Sequence, residues 1–104
     1  MILYLQSMYD QVVADEIRFD WNDANIGHLA RHNVNPEEAE QALRNGPVEI
    51  EYQDIGGEKR YVDIGRTNRG RFLTLVATER EGAVRVITGW DSTAEEEAEY
   101  WRGV

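Results

Sequence analysis

The apolar and polar positions divide the chain into a first half with helical spacing and a second half with strand-like alternation. Residues 17–21 alternate between the two types, which predicts a short, half-buried strand. Two short helices are predicted to follow this strand. Asn22 or Asp23 is a suitable N-cap for the first helix, and Asn35 with Glu38 has the spacing of a capping box for the second.

Both predicted helices carry apolar residues three and four positions apart, so each should turn one side toward a core. Because the helices are short, their stability must come from the packing of these sides. The predicted core-facing residues are Ile26, Leu29 and Ala30 in the first helix, and Ala39, Ala42 and Leu43 in the second.

Four strands are predicted next, at residues 48–52, 60–66, 72–78 and 84–88. Short turns that contain glycine join neighbouring strands, which favours an antiparallel meander. Residues 72–78 are almost all apolar or threonine, as expected of a central strand that is buried on both faces.

The end of the chain predicts one more helix, which begins with a capping box of Ser92 and Glu95 and runs through Trp101. The predicted fold class is therefore α+β: a four- to five-stranded antiparallel sheet with two N-terminal helices and one C-terminal helix. Residues 17–104 should form this single domain, and residues 1–16 an N-terminal extension that is either a weak helix or a disordered arm. One face of such a sheet is expected to stay partly open.

The composition of the chain excludes several classes of protein. The chain has 104 residues and no cysteine, which excludes disulfides and thiolate metal sites and predicts a cytoplasmic location. No apolar run approaches the roughly 20 residues that cross a bilayer, so no membrane partner is expected. The net charge of -9 opposes long-range attraction to nucleic acid over the molecule as a whole.

The charge is distributed very unevenly along the chain. Residues 1–57 carry a net charge of -8, residues 58–90 carry +3, and residues 91–104 carry -4. Seven of the eleven Lys and Arg residues lie between Lys59 and Arg85. Because screening limits the reach of surface charge to about 8–10 Å, a local basic patch can persist in an acidic protein. This pattern predicts that the sheet meets an anionic partner.

Several residues in and near this stretch could carry chemistry. Arg60 and Arg66 share one face of their strand, as solvated strand ends or as guanidinium groups that hold phosphate. His28 and His32 lie four residues apart, but no third metal ligand is evident, so neither a metal nor another cofactor is predicted. These histidines and Glu58 are the natural candidates for proton transfer.

The sequence contains a series of short motifs: Phe19-Asp20-Trp21-Asn22, Arg31-His32-Asn33-Val34, Pro36-Glu37-Glu38-Ala39-Glu40, Glu58-Lys59-Arg60-Tyr61, Ile64-Gly65-Arg66-Thr67, Gly70-Arg71-Phe72-Leu73 and Val84-Arg85-Val86-Ile87-Thr88. In this order, over roughly residues 18–101, the motifs resemble the BrnT-type ribonuclease toxins. The resemblance implies a RelE-like α+β fold, metal-independent RNA cleavage that arrests translation, and neutralisation by a ribbon-helix-helix antitoxin protein.

The resemblance also implies a set of site residues, namely His32, Glu58, Arg60, Arg66 and Arg85. The three arginines would hold the phosphate and stabilise its charge, while His32 or Glu58 would carry the proton. This hypothesis requires the guanidinium groups to converge in one cradle.

Two departures from the resemblance support an alternative function. Trp90 stands where relatives commonly have arginine, and the last helix is acidic where theirs is basic. Both changes should weaken RNA binding, although Trp90 could stack an unpaired base on the open face. The alternative is a non-catalytic protein-interaction module on the same fold, which binds a protein partner or assembles as a homo-oligomer.

Overall fold

The computed structural model describes residues 17–104, which form a four-stranded antiparallel sheet with helices on both of its faces. This arrangement confirms the predicted α+β class, while the predicted extension at residues 1–16 lies outside the described residues. None of the helices formed by residues 17–104 has the length and apolar character needed to cross a membrane. The elements are α1 (Asp23–Ala30), α2 (Pro36–Arg44), β1 (Val48–Ile55), β2 (Glu58–Arg66), β3 (Phe72–Arg80), β4 (Ala83–Asp91) and α3 (Ala94–Gly103).

The strands follow one another across the sheet in the order β1-β2-β3-β4, which is the predicted meander. Two-residue turns join β1 to β2 and β3 to β4. Gly56 and Gly57 have φ values of 60° and 87°, and Glu81 and Gly82 have 53° and 78°. Two consecutive positive φ values are the requirement of type I′ turns, whose twist matches that of the strands they join.

The inner side of α1 differs in part from the prediction. Leu29 is fully buried as expected, but Ile26 is 38% exposed and Ala30 is also exposed, while Asn25 turns inward instead. The side-chain oxygen of Asn25 accepts the backbone N–H of Asn22, and its amide donates to the carbonyl of Asp20. These hydrogen bonds satisfy the polar side chain of Asn25, so it can occupy the buried position that was predicted for Ile26.

Helix α2 begins with the predicted capping box, in which Asn35 and Glu38 each accept the other's backbone N–H. It lies so close to β2 that a Cβ added at Gly65 would stand 2.2 Å from the carbonyl oxygen of Ala42. Glycine is therefore required where the helix crosses the strand. The predicted apolar stripe is fully buried: Ala39, Ala42 and Leu43.

The last helix begins one residue later than predicted. Its capping box is Thr93 with Glu96 rather than Ser92 with Glu95. The Ser92 hydroxyl lies 2.8 Å from Oγ1 of Thr74 on β3, within hydrogen-bonding distance. Ser92 therefore belongs to the contact between the sheet and the helix, and the next residue takes the cap.

The predicted strand at residues 17–21 is wrong, since this segment makes only one parallel bridge, between Phe19 and Val84. The N–H of Asp20 donates to the carbonyl of Val84, and the N–H of Val84 donates to that of Arg18. Asn22 then caps α1, so the chain leaves the edge of β4 before a ladder can form.

The helices cover the two faces of the sheet unequally. Gly65, Leu73 and Leu75 lie on the face that α1 and α2 cover, because Gly65 meets α2 and the register pairs it with Leu73. Helix α3 crosses the opposite face, where a Cβ on Gly103 would touch Val48. The predicted central strand β3 is buried from residue 73 to residue 78.

Asp63 on β2 and Glu49 on β1 carry carboxylates that lie side by side on the face of the sheet that α1 and α2 cover. Asp63 is 1% exposed, and its cross-strand partner on β1 is Glu49. Within residues 17–104, neither carboxylate oxygen of Asp63 accepts a hydrogen bond. Burial, with a further contribution from the charge of Glu49, raises the pKa of Asp63 to about 7.

We expect the Gly65→Ala variant to lose about 3 kcal/mol of unfolding free energy, because its Cβ must displace α2 from β2. Gly27→Ala is the matched control in α1, where no atom lies within 4 Å of the added Cβ. That variant should gain about 0.5–1 kcal/mol. Urea unfolding measures both, and equal effects at the two positions would contradict the close approach.

The Asp63→Asn variant should be more stable than the natural chain at pH 8, by up to about 4 kcal/mol. The pKa of this carboxyl rises from its ordinary value of 3.8 in the unfolded chain to about 7 in the folded protein. The folded state therefore holds the extra proton between these values, and the cost of ionising Asp63 grows as the pH rises from about 4 to 7. Urea unfolding at several pH values should show the gain at pH 8 shrinking toward pH 4. Glu51→Gln, an exposed change on β1, should show no such trend.

Candidate functional site

Arg60 and Arg85 lie in one row across the face opposite α1 and α2. Tyr61 pairs with Ala77, so Arg60 comes opposite Thr78, and Thr78 pairs in turn with Arg85. Directly opposite residues share a face, and two strand spacings separate the two arginines by about 10 Å at their Cα atoms. The row lies at the end of the sheet away from the contacts between Thr74 and α3.

Each of these two arginines is paired with a carboxylate. Nε and Nη2 of Arg60 lie 2.8 Å and 2.7 Å from Oε2 of Glu58, and Nη1 of Arg85 lies 3.1 Å from Oδ2 of Asp20. The side chains of Glu58 and Asp20 are 41% and 37% exposed. Ion pairs this exposed contribute about 0–1 kcal/mol, so a phosphate group that contacts both arginines can compete with them.

Arg66 lies apart from this pair. It is six residues from Arg60 on β2, which corresponds to about 20 Å along a strand. Its guanidinium carbon lies 4.7 Å from the centre of the Phe72 ring and 5.6 Å from that of Trp101 on α3. The structure therefore brings Arg60 and Arg85 together and leaves Arg66 outside their row, so the predicted convergence of the three guanidinium groups in one cradle is wrong.

His32 also lies away from the arginine row. Its ring is 6.3 Å from the ring of Trp90, which is near the end of β4. Trp90 and Arg85 are five residues apart on that strand, or about 16 Å. Of the two proton carriers that the resemblance implies, His32 and Glu58, it is Glu58 that contacts an arginine of the row. No group of three or more potential metal-binding side chains occurs within residues 17–104.

One acidic residue of α3, Glu96, has a structural role. Its Oε1 accepts hydrogen bonds from the indole N–H of Trp90, from the hydroxyl of Thr74 and from the backbone N–H of Thr93. This carboxylate therefore fastens the start of α3 to the sheet. This role of Glu96 was not predicted from the sequence, although the spacing of Thr93 and Glu96 is that of a capping box.

Arg71 lies in the basic stretch of the sequence, but its guanidinium stabilises the fold through hydrogen bonds to other elements. Its guanidinium donates to Asp91 at 2.7 Å, to Glu38 at 3.0 Å and to the carbonyl of Asn33 at 2.9 Å. The hydrogen bond from Arg71 lowers the pKa of Asp91. This arginine joins β3, β4, α2 and the residues that follow α1, so it adds little to the basic patch.

The family model that describes "Ribonuclease toxin, BrnT, of type II toxin-antitoxin system" matches residues 21–96. The chain belongs to the BrnT family. The match contains every predicted site residue and ends before Trp101, and it confirms the resemblance found in the sequence. A search of curated proteins found no match. Membership in a type II toxin family implies a protein antitoxin as the partner.

We expect the Glu96→Ala variant to lose about 2–3 kcal/mol of unfolding free energy. The change removes a helix cap, which is usually worth about 1 kcal/mol, and leaves the Trp90 and Thr74 donors without their acceptor. The exposed Glu95 in the same turn is the matched control, and Glu95→Ala should change stability by about 0.5 kcal/mol or less. Denaturant unfolding followed by tryptophan fluorescence compares the two, and similar losses would contradict the special role of Glu96.

Proposed function

We propose that this BrnT-family chain is an endoribonuclease toxin that cleaves RNA in the cytoplasm without a metal ion. The observation that carries the proposal is the row formed by Arg60, Thr78 and Arg85, with Glu58 in contact with Arg60. The Cα atoms of Arg60 and Arg85 lie about 10 Å apart, and their side chains are long enough for both guanidinium groups to contact one phosphate.

In the proposed reaction, a phosphodiester lies between Arg60 and Arg85. Their N–H groups donate to the non-bridging oxygens and stabilise the negative charge that grows on them. Glu58 accepts the proton of the neighbouring 2′-hydroxyl. The 2′ oxygen then bonds to phosphorus, and the bond from phosphorus to the 5′ oxygen breaks while that oxygen takes a proton from water. The hydroxide that remains takes the proton from Glu58. The products are a 2′,3′-cyclic phosphate and a 5′-hydroxyl end.

Two contacts support Glu58 as the proton carrier rather than His32. Glu58 already touches Arg60, so phosphate binding to Arg60 brings the carboxylate beside the sugar of the same nucleotide. His32 packs near Trp90 at the other end of β4. In this proposal, Arg66 does not touch the cleaved phosphate, because it lies about 20 Å along β2 from Arg60.

The proposed partner is a ribbon-helix-helix antitoxin that covers the row formed by Arg60 and Arg85 and thereby excludes RNA. The charge distribution supports this position, since the segment from residue 58 to residue 90 carries +3 in a chain of net charge -9. An acidic segment of the antitoxin would compete for the arginines as RNA does.

The second candidate function is a protein-interaction module without catalysis. It is favoured by the carboxylates that already neutralise both arginines of the row, Glu58 at Arg60 and Asp20 at Arg85. In such a module the two ion pairs would be permanent parts of the surface, and the face would bind only a protein.

Purified chain, free of antitoxin, should cleave single-stranded RNA in the presence of a metal chelator. Arg60→Gln and Arg85→Gln should each slow cleavage by about 10²-fold or more, because each removes charge stabilisation. Glu58→Gln should slow it by about 10²–10⁴-fold through loss of the base. Product analysis by gel and mass spectrometry measures the rates and the cyclic phosphate.

Two variants serve as controls for this experiment. Arg80→Gln removes an exposed cation at the end of β3, and His32→Gln removes the other proton carrier that the resemblance implies. Both should cleave within a few-fold of the natural chain. Intact RNA with a folded protein would establish the interaction module instead, activity that requires a metal would refute the metal-independent reaction, and strong loss with His32→Gln would transfer the proton step to that residue.

A further inference from the structure

Arg66 is held between aromatic rings instead of against a carboxylate. Its guanidinium carbon lies over both Phe72 and Trp101, and the two rings meet edge to face with centroids 5.8 Å apart. Arg60 and Arg85 each have an acidic partner. Among residues 17–104, no Asp or Glu forms an ion pair with Arg66.

The orientation of this guanidinium is set by packing. Nε of Arg66 is buried and has no hydrogen-bond acceptor among the described residues. Nη2 lies over Gly70, where an added Cβ would stand 3.2 Å from it. Gly70 also has a φ of 87°, which favours glycine. The turn before β3 therefore leaves space for the guanidinium and positions it before any anion arrives.

Trp101 differs from the other two tryptophans. The indole N–H groups of Trp21 and Trp90 donate to Glu40 and Glu96. The Trp101 side chain is 53% exposed and makes no hydrogen bond within residues 17–104. A large exposed aromatic ring beside a cation without a carboxylate is a combination that suits a nucleotide, which offers a base to stack and a phosphate to bind.

We propose that Arg66 and Trp101 form a second RNA subsite, in which Trp101 stacks a base and Arg66 binds a phosphate of the same strand. The inference rests on the proposed function, because it assigns this subsite and the Arg60–Arg85 row to one RNA molecule. About 20 Å along β2 separates the two places, and stacked nucleotides advance about 3.4 Å each. The subsite therefore holds the strand about six nucleotides from the cleaved linkage.

This subsite makes binding depend on the length of the RNA. A strand of twelve nucleotides can occupy the subsite and the row together, whereas a trinucleotide can occupy only one of them. Binding two places on one strand raises affinity through the high effective concentration of the second contact. The subsite thus selects long, single-stranded RNA over short fragments, including the short products of cleavage.

The test measures binding of a fluorescent, fully 2′-O-methylated RNA of twelve nucleotides, which lacks the attacking hydroxyl and stays intact. Arg66→Gln and Trp101→Leu should each raise its Kd about tenfold or more. Arg66→Gln should also reduce the slope of log K against log salt by about 0.7, whereas Trp101→Leu should leave the slope unchanged. A general loss of structure would not separate affinity from salt dependence in this way.

Conservative and distant variants complete the experiment. Trp101→Phe keeps an aromatic ring, so its Kd should lie within about threefold of that of the natural chain. Arg80→Gln removes one positive charge, as Arg66→Gln does, but at an exposed site outside the subsite. Kd values for Arg66→Gln and Trp101→Leu within twofold of that for Arg80→Gln would overturn the subsite. Retained RNA binding with lost antitoxin binding would overturn it as well and make this surface a protein interface.

The proposed function and the subsite can fail separately. Cleavage that is lost in Arg60→Gln, with binding of the twelve-nucleotide RNA unaffected by Arg66→Gln and Trp101→Leu, refutes the subsite alone. Binding that depends on Arg66 and Trp101 in a natural chain that cleaves nothing refutes the enzyme and supports the subsite.

Discussion

The structure depends on the contact between α2 and β2, where Gly65 meets the backbone of Ala42 with no room for a side chain. Because side chains alternate along a strand, this contact decides which residues of β2 face the core. Gly65 and Asp63 lie beneath the helices, so Arg60 and Arg66 must lie on the opposite face. The register of the sheet then fixes which side chains of β3 and β4 lie on each face, so Arg85 lies on the same face as Arg60.

Much of this fold could be predicted because its signals are local. The meander follows from short turns, and the buried stripe of α2 follows from the spacing of Ala39, Ala42 and Leu43. The misplaced elements depend on distant residues instead. Ser92 does not cap α3 because Thr74, far away in the chain, lies beside its hydroxyl, and residues 17–21 pair only where they pass β4.

The candidate site could be predicted less completely, for a related reason. Strand parity is a property of sequence, so the shared face of Arg60 and Arg66 could be inferred without coordinates. The partners of each charge could not be inferred, since they come from other elements: Asp20 reaches Arg85 from the segment before α1. Arg71 shows the same limit, because its position in a basic stretch gives no indication of its bonds to Glu38 and Asp91.

The order of the elements has a consequence for the way in which the chain folds as it is synthesised. Each strand pairs with the strand that precedes it, so most sheet contacts are close in sequence, which favours rapid folding. Helix α3 leaves the ribosome after the four strands. The sheet and its arginine row can therefore form first, while the aromatic surroundings of Arg66 are completed only when Trp101 emerges. Maturation of the basic face is thus a sequential event.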